Sequence, residues 1–167
     1  MNGGMNAVKK LDARLQAIAD LVQGEIIADV GSDHAYLPAW LAKHNKIKKA
    51  YALDISPNCV GRIKANLGKF NIPQEIISPV LSDGLAGLGD CAIAGLTDVI
   101  IAGMGGETIA RILSGIKKRA GINFILQPNT KKELLKDYLL ANNFEVSQEI
   151  KVQDKKRYYI IMRASCV

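Results

Sequence analysis

Asp29-Val30-Gly31-Ser32-Asp33-His34-Ala35-Tyr36-Leu37-Pro38 decides how this chain is read. The residues before it, Glu25 to Val30, form a short apolar run, and Tyr36 to His44 has helical spacing. The decapeptide is therefore the turn from a first strand into a helix. In a chain that alternates strands and helices, such a turn lies at the carboxyl edge of a parallel sheet, where ligands bind. A dinucleotide fingerprint asks for glycine at three places, G-x-G-x-x-G. Gly31 holds the first, but Asp33 and Tyr36 stand in the second and third. A diphosphate needs bare backbone there, and an acidic Asp33 repels it. The loop suits a ligand that lacks phosphate and carries positive charge. S-adenosylmethionine answers that description, with a cationic sulfonium and a cationic ammonium. The plainer alternative is an ordinary strand-to-helix turn that contains a glycine.

Outward from this turn the same alternation continues. Leu11, Leu15, Ile18, Ala19 and Val22 recur at three- and four-residue spacing and predict an opening helix over about 10–23, stopped by Gly24. Lys49 to Leu53 reads as a second strand. Ser56 and Pro57 are the N-cap and first turn of a helix that runs to about Phe70. Glu75 to Leu81 and Thr97 to Ala102 read as the third and fourth strands, Glu107 to Lys118 as a helix, and Asn123 to Leu126 as the fifth strand. Thr130 to Ala141 is a helix with an apolar face of Leu134, Leu135, Tyr138 and Leu139. Phe144 to Val152 and Arg157 to Met162, joined by the polar Gln153-Asp154-Lys155-Lys156, predict a β-hairpin. The expected class is α/β: a mostly parallel sheet with helices on both faces and a closing antiparallel hairpin strand.

The residues after each strand carry the chemistry. Asp54 lies 23 residues after Gly31, at the end of the second strand and followed by Ile55. An acid there can accept both ribose hydroxyls of a nucleoside; its alternative is a helix cap, which Ser56-Pro57 already supplies. After the third strand comes Ser82-Asp83-Gly84. Asp83 can accept an adenine amino group while a backbone amide donates to a ring nitrogen, or the segment is a simple Asp-Gly turn. After the fourth come Gly103, Met104, Gly105 and Gly106, which permit close backbone approach of a base or methyl donor. Glu107-Thr108 follows where a phosphate-cradling loop has Lys-Ser/Thr, which disfavours an ATPase. After the fifth, Gln127 and Asn129 flank Pro128 and can present amides to a base, or Asn129 or Thr130 can cap the next helix.

Size and composition fit this reading. The chain has 167 residues, enough for one domain. It is 49% hydrophobic and 23% charged, with 15 Gly and 5 Pro, which excludes collagen-like and globally disordered chains. The longest apolar runs, such as Val99 to Met104, are far too short for a membrane span, and no apolar stretch follows Lys9-Lys10 to make a secretory signal. Three scattered cysteines, Cys59, Cys91 and Cys166, point to a reducing cytoplasm. With two His and no Cys-x-x-Cys, no metal site is expected. The net charge of +6 fits a nucleic-acid partner or an ordinary basic surface.

Taken together, Leu11-Asp12-Ala13-Arg14-Leu15, the decapeptide from Asp29, Ser82-Asp83-Gly84-Leu85, Ala102-Gly103-Met104-Gly105-Gly106 and Leu126-Gln127-Pro128-Asn129 resemble the bacterial tRNA (adenine(22)-N1)-methyltransferases over roughly residues 10–163. The resemblance implies a Rossmann-like class I methyltransferase fold with a seven-stranded sheet, S-adenosylmethionine as cofactor, and tRNA as the substrate methylated at N1 of an adenine. Carried over by position, Asp29, Gly31 and Ser32 meet the methionine part, Asp54 the ribose, Asp83 and Gly84 the adenine, and Gly103 to Gly105 line the transfer site. Members of that family usually continue into a helical region that helps grip tRNA, whereas this sequence stops at Val167. The expectation is therefore one methyltransferase domain over 1–167 without that extension. Lys46, Lys48, Lys49, Lys117, Lys118, Arg119, Lys131 and Lys132 would partly compensate; for any one of them the plainer reading is solvated surface.

Adenine N1 has an in-plane lone pair that is unprotonated at neutral pH, so alignment matters more than a strong base. The methylated ring is cationic, which makes Asp33 the expected catalytic carboxylate. His34 orients the loop or packs, and Tyr36 stacks on the base or belongs to the core. Arg14 meets the cofactor carboxylate, a tRNA phosphate or a neighbouring acid. Three readings compete: a tRNA methyltransferase, a methyltransferase for another substrate, and a non-catalytic cofactor- or RNA-binding domain.

Overall fold

The computed structural model describes residues 8–117 and 120–167. Along the chain run α1 (Ala13–Leu21), β1 (Ile26–Val30), α2 (Tyr36–Lys43), β2 (Lys49–Asp54), α3 (Pro57–Lys69), β3 (Ile77–Leu81) and α4 (Asp90–Ala94). There follow β4 (Asp98–Gly105), α5 (Gly106–Ser114), β5 (Asn123–Thr130), α6 (Lys132–Ala141), β6 (Phe144–Asp154) and β7 (Arg157–Cys166). The seven strands make one sheet in the order β3-β2-β1-β4-β5-β7-β6. β1 to β5 are parallel, and β7 runs antiparallel between β5 and β6. The fold is a Rossmann-like, mostly parallel sheet closed by an antiparallel hairpin strand, with helices on both faces.

Alternate residues of the central strands feed two cores. Ile27, Ile100, Ile125 and Ile161 face α1, α2 and α3, packing with Ile18, Leu41 and Ile63. Ala28, Val99, Ile101, Phe124, Leu126 and Met162 face α5 and α6, packing with Ile109, Leu113, Leu135 and Leu139. Burial on both faces is why β1 and β4 read as continuous apolar runs. The strand order reverses between β1 and β4, which opens a crevice at their carboxyl ends.

Several boundaries differ from the sequence expectation. β4 continues to Gly105 and β5 to Thr130, so Gly103–Gly105 and Gln127–Asn129 belong to strands rather than to following loops. They pair with irregular register between Ala102 and Gly105, which periodicity does not reveal. The helix expected over Glu107–Lys118 starts at Gly106 and ends at Ser114. α6 starts at Lys132, and its preceding residue Lys131 is left-handed (φ 54), so neither Asn129 nor Thr130 caps it. Leu134 is exposed rather than on the apolar face. α4 is five residues long, too short to show a helical period, and none of it is buried. Gly24 follows the helix end without being its cap: α1 closes at Val22, and a Cβ on Gly24 would lie 2.1 Å from the Thr97 side chain. Its amide donates to buried Asp98 at 2.8 Å, fixing the start of β4 against the end of the first helix.

Candidate functional site

The loop after β1 is held by the end of β2. The amides of Gly31 and Ser32 both donate to the Leu53 carbonyl, at 2.8 and 2.9 Å. Gly31 is at φ +74, a conformation that a side chain strains. A Cβ there would also lie 2.3 Å from Cε of Met104, so β4 closes over this glycine. Asp33 and Ala35 are left-handed as well, at φ 53 and 56, and each is held there by its surroundings. The Asp33 amide donates to Asp54 Oδ2 at 3.3 Å, and Asn66 on α3 donates to the His34 carbonyl at 3.0 Å. His34 stacks on Tyr36 with ring centroids 5.2 Å apart.

Three carboxylates meet this loop in different states. Asp29, buried at the end of β1, accepts a 2.6 Å bond from the Ser32 hydroxyl. Burial pushes its pKa up to about 6, against the pull of that hydroxyl and of the Arg14 charge. Asp54, also buried, accepts from the Ser56 amide at 3.0 Å and from Asp33. The Ser56 hydroxyl caps α3 by accepting from Cys59, so Asp54 is not that cap. Asp33 is half exposed and ion-paired to Arg62 at 2.6 Å, with His34 Nε2 at 3.5 Å. Partial burial pushes its carboxyl up, but the Arg62 bond and the neighbouring charges outweigh that and hold it below the ordinary range.

β4 and β5 supply a rigid wall. Gln127 is fully buried, and its Oε1 accepts from Arg14 Nη1 at 2.9 Å and from the Gly103 amide at 3.1 Å. Its amide nitrogen donates to Asn129, which donates in turn to the Gly103 carbonyl at 2.9 Å. Gln127 and buried Pro128 therefore shape the strand end instead of presenting groups to a base, and Asn129 is committed to Gly103. Arg14 forms no ion pair among the described residues; it spans Gln127 and the Tyr159 ring, 5.6 Å from the centroid. Gln127→Ala should lower stability by about 1–2 kcal/mol, because it orphans a buried amide and a guanidinium contact. Thermal denaturation of the variant measures this.

Ser82, Asp83 and Gly84 lie further along the same edge. Buried Ser82 donates to the Gly84 carbonyl and accepts from the Gly87 amide, both at 2.8 Å. Asp83 is exposed and takes both Nη groups of Arg111, at 3.1 and 3.0 Å, which hold its carboxyl below the ordinary range. A carboxylate has about four lone-pair sites, so with two taken it keeps acceptor capacity for about two more donors. Ile55 is 65% exposed, beside Asp54.

A cleft of about 670 Å³ opens at the strand reversal. It is lined by Asp29, Gly31, Ser32 and Gly103, and by Arg14, Asp33, His34 and Tyr36. Thus eight of the residues expected from sequence come together. Asp54, Ile55, Ser82, Asp83, Gly84, Met104, Gly105, Gln127, Pro128 and Asn129 do not line it. The sequence reading missed Lys9, Lys10, Asp154 and Lys155, which form its rim. Only the tertiary return of the last hairpin brings the latter pair to the first loop.

The basic residues expected to serve RNA are largely engaged. Lys48 pairs with Glu25, Lys117 with Asp90, Lys131 with Glu107 and Lys132 with Glu133. Lys49 donates to the Glu75 carbonyl, and Lys46 lies over the Trp40 ring. Lys118 and Arg119 lie outside the described residues. Among the described residues, no group of three His, Cys, Asp or Glu is placed to hold a metal, and no helix is long and apolar enough to cross a membrane.

The family model described as a methyltransferase domain matches residues 11–162. The tRNA (adenine(22)-N(1))-methyltransferase of Bacillus subtilis (strain 168) is 33% identical over 158 residues, covering 93% of this chain. The chain spans 65% of that relative's length. A crystal structure of the B. subtilis tRNA methyltransferase TrmK superposes with a TM-score of 0.87 at 30% identity, covering 95% of this chain and 67% of that one. The M. capricolum TrmK structure, in complex with S-adenosyl-homocysteine, gives 0.80 at 31% identity, covering 93% and 68%.

Proposed function

This chain belongs to the tRNA (adenine(22)-N1)-methyltransferase family, and from that premise we propose that it methylates N1 of an adenine in tRNA with S-adenosylmethionine. The observation that carries the cofactor reading is the buried carboxyl of Asp29 in the cleft lining, with its pKa near 6. A buried anion held by one hydroxyl bond is completed by a cationic ligand and made worse by a diphosphate. The residues therefore fit a nucleoside amino acid. Asp29, Gly31 and Ser32 would hold its amino-acid end, Asp54 its ribose, and Asp83 and Gly84 its adenine, with Arg111 keeping Asp83 ionised. When bound, the cofactor supplies an electrophilic methyl group on a sulfonium.

The chain's own work is positioning. Gln127 and Asn129 lock Gly103 from both its amide and its carbonyl, giving the target base a fixed wall. Tyr36, stacked on His34, offers a ring in the cleft lining. A base that is paired or stacked in folded RNA must turn out to reach this cleft. Asp33 lies on the same cleft, ionised at neutral pH and only half covered, where it faces the positive charge that the ring acquires. Asp33→Asn should leave cofactor affinity intact and lower kcat about tenfold, or about 1.4 kcal/mol, less than the loss of a fully desolvated contact because solvent screens the half-exposed carboxylate. Unchanged turnover would remove Asp33 from the reaction.

The test of the whole reading is methyl transfer from labelled donor into bulk bacterial tRNA, followed by nucleoside analysis. The expected product is 1-methyladenosine. Label in another nucleoside, or cofactor binding without transfer, overturns it.

A further inference from the structure

The β6–β7 hairpin turns at Lys155 and Lys156, with Lys155 left-handed at φ 54. Beside the turn is a second hollow of about 510 Å³, lined by Asp154, Lys155, Lys156, Arg157 and Tyr159. Asp154 and Lys155 also line the main cleft, so the two hollows adjoin. Lys9 and Lys10 border the main cleft as well. Among the described residues, none of these five cations forms an ion pair, whereas Lys48, Arg62, Arg111, Lys131 and Lys136 each meet a carboxylate. Asp154 pairs with Arg157 in the ladder but makes no salt bridge with it. Lys155, Lys156 and Arg157 share the hairpin hollow with a single carboxylate, Asp154, so positive charge is in excess there; the excess cations repel one another, and a polyanion relieves that repulsion by giving up its condensed counterions. Half-buried Tyr159, with the Arg14 guanidinium over its ring, gives the hollow an aromatic wall.

We propose that this hairpin hollow seats the RNA backbone next to the target adenosine, with Lys155, Lys156 and Arg157 neutralising phosphates and Tyr159 lying against the adjoining nucleoside. The proposal rests on the tRNA-methylation reading and adds the subsite through which the substrate is gripped. A lipid surface is the poorer partner, because the turn residues Asp154, Lys155, Lys156 and Arg157 line a hollow and none of the four has an apolar side chain to insert.

The experiment compares the chain as it stands with a Lys156→Ala/Arg157→Ala variant, two positions outside the main cleft, on a tRNA transcript. The variant should raise KM for tRNA about tenfold and leave kcat within about twofold, and the slope of log affinity against log salt should become shallower by about 1.5. Its affinity for S-adenosylhomocysteine should not change. Lys156→Arg/Arg157→Lys should restore both KM and slope. Unchanged KM and slope, in a wild type that methylates tRNA, overturn the hairpin subsite and leave the function standing. A wild type that binds S-adenosylhomocysteine yet neither binds nor methylates tRNA overturns the function itself. Loss of binding to phosphatidylglycerol vesicles with KM for tRNA unchanged assigns the hairpin to a membrane and overturns the proposal.

Discussion

Asp54→Ala should weaken S-adenosylmethionine binding about 30- to 1000-fold, equivalent to about 2–4 kcal/mol. The carboxylate sits buried at the end of β2, where each charge-assisted bond to a ribose hydroxyl contributes about 1.5–3 kcal/mol. Two of its lone-pair sites are taken by the Ser56 and Asp33 amides, and the others are left for hydroxyls. The two amides also hold it in place, so little entropy is lost when a ribose arrives. Removing the carboxylate additionally frees the amide of left-handed Asp33, which donates to it. Calorimetry with S-adenosylhomocysteine, on a variant shown to be folded by its melting transition, measures the loss. Unchanged affinity would take Asp54 out of the ribose role.

Asp29→Asn should act in opposite directions on stability and on binding. Burial raises Asp29 from 3.8 to about 6. Between those values the folded chain keeps a proton that the unfolded chain has lost, so stability falls as pH rises through the window. Above pH 6 the folded state carries the whole cost of the buried charge, about 3 kcal/mol for a shift of about two units. Asn keeps an acceptor for the Ser32 hydroxyl and removes the charge. The variant should melt about 5–10 °C higher than wild type at pH 8, with the difference vanishing near pH 4. Cofactor affinity should drop in the variant. In wild type it should rise as pH increases through about 6, a dependence the variant lacks. Equal melting temperatures at pH 8 would mean that Asp29 pays no desolvation cost.

The fold was legible because its signals are local. Strands covered on both faces read as apolar runs, Ser56-Pro57 announces α3, and Gln153 to Lys156 announces the hairpin. The first site loop was legible too, since Asp33 and Tyr36 sit where a diphosphate fold keeps glycine. What failed was anything set by distant partners. Gln127 looks like a polar group offered to a ligand, and only the return of α1 and β4 shows its oxygen already taken by Arg14 and Gly103. Asp83 looks free until α5 brings Arg111 to it. The lysines near 46–49 look available until Glu25, Glu75 and Trp40 are placed beside them. The rim from Lys9, Lys10 and Lys155 joins residues near opposite ends of the chain, a pairing that no periodicity encodes.

The first loop's amides bear on how this scaffold can change its diet. Gly31 and Ser32 spend their N–H groups on the Leu53 carbonyl, and Asp33 spends its own on Asp54. A nest for pyrophosphate is made from such groups when they point outward together. Restoring glycines at 33 and 36 would copy the letters of a nicotinamide enzyme while leaving these donors facing the next strand. Evolution toward that ligand must re-thread the loop, and single substitutions leave it stranded.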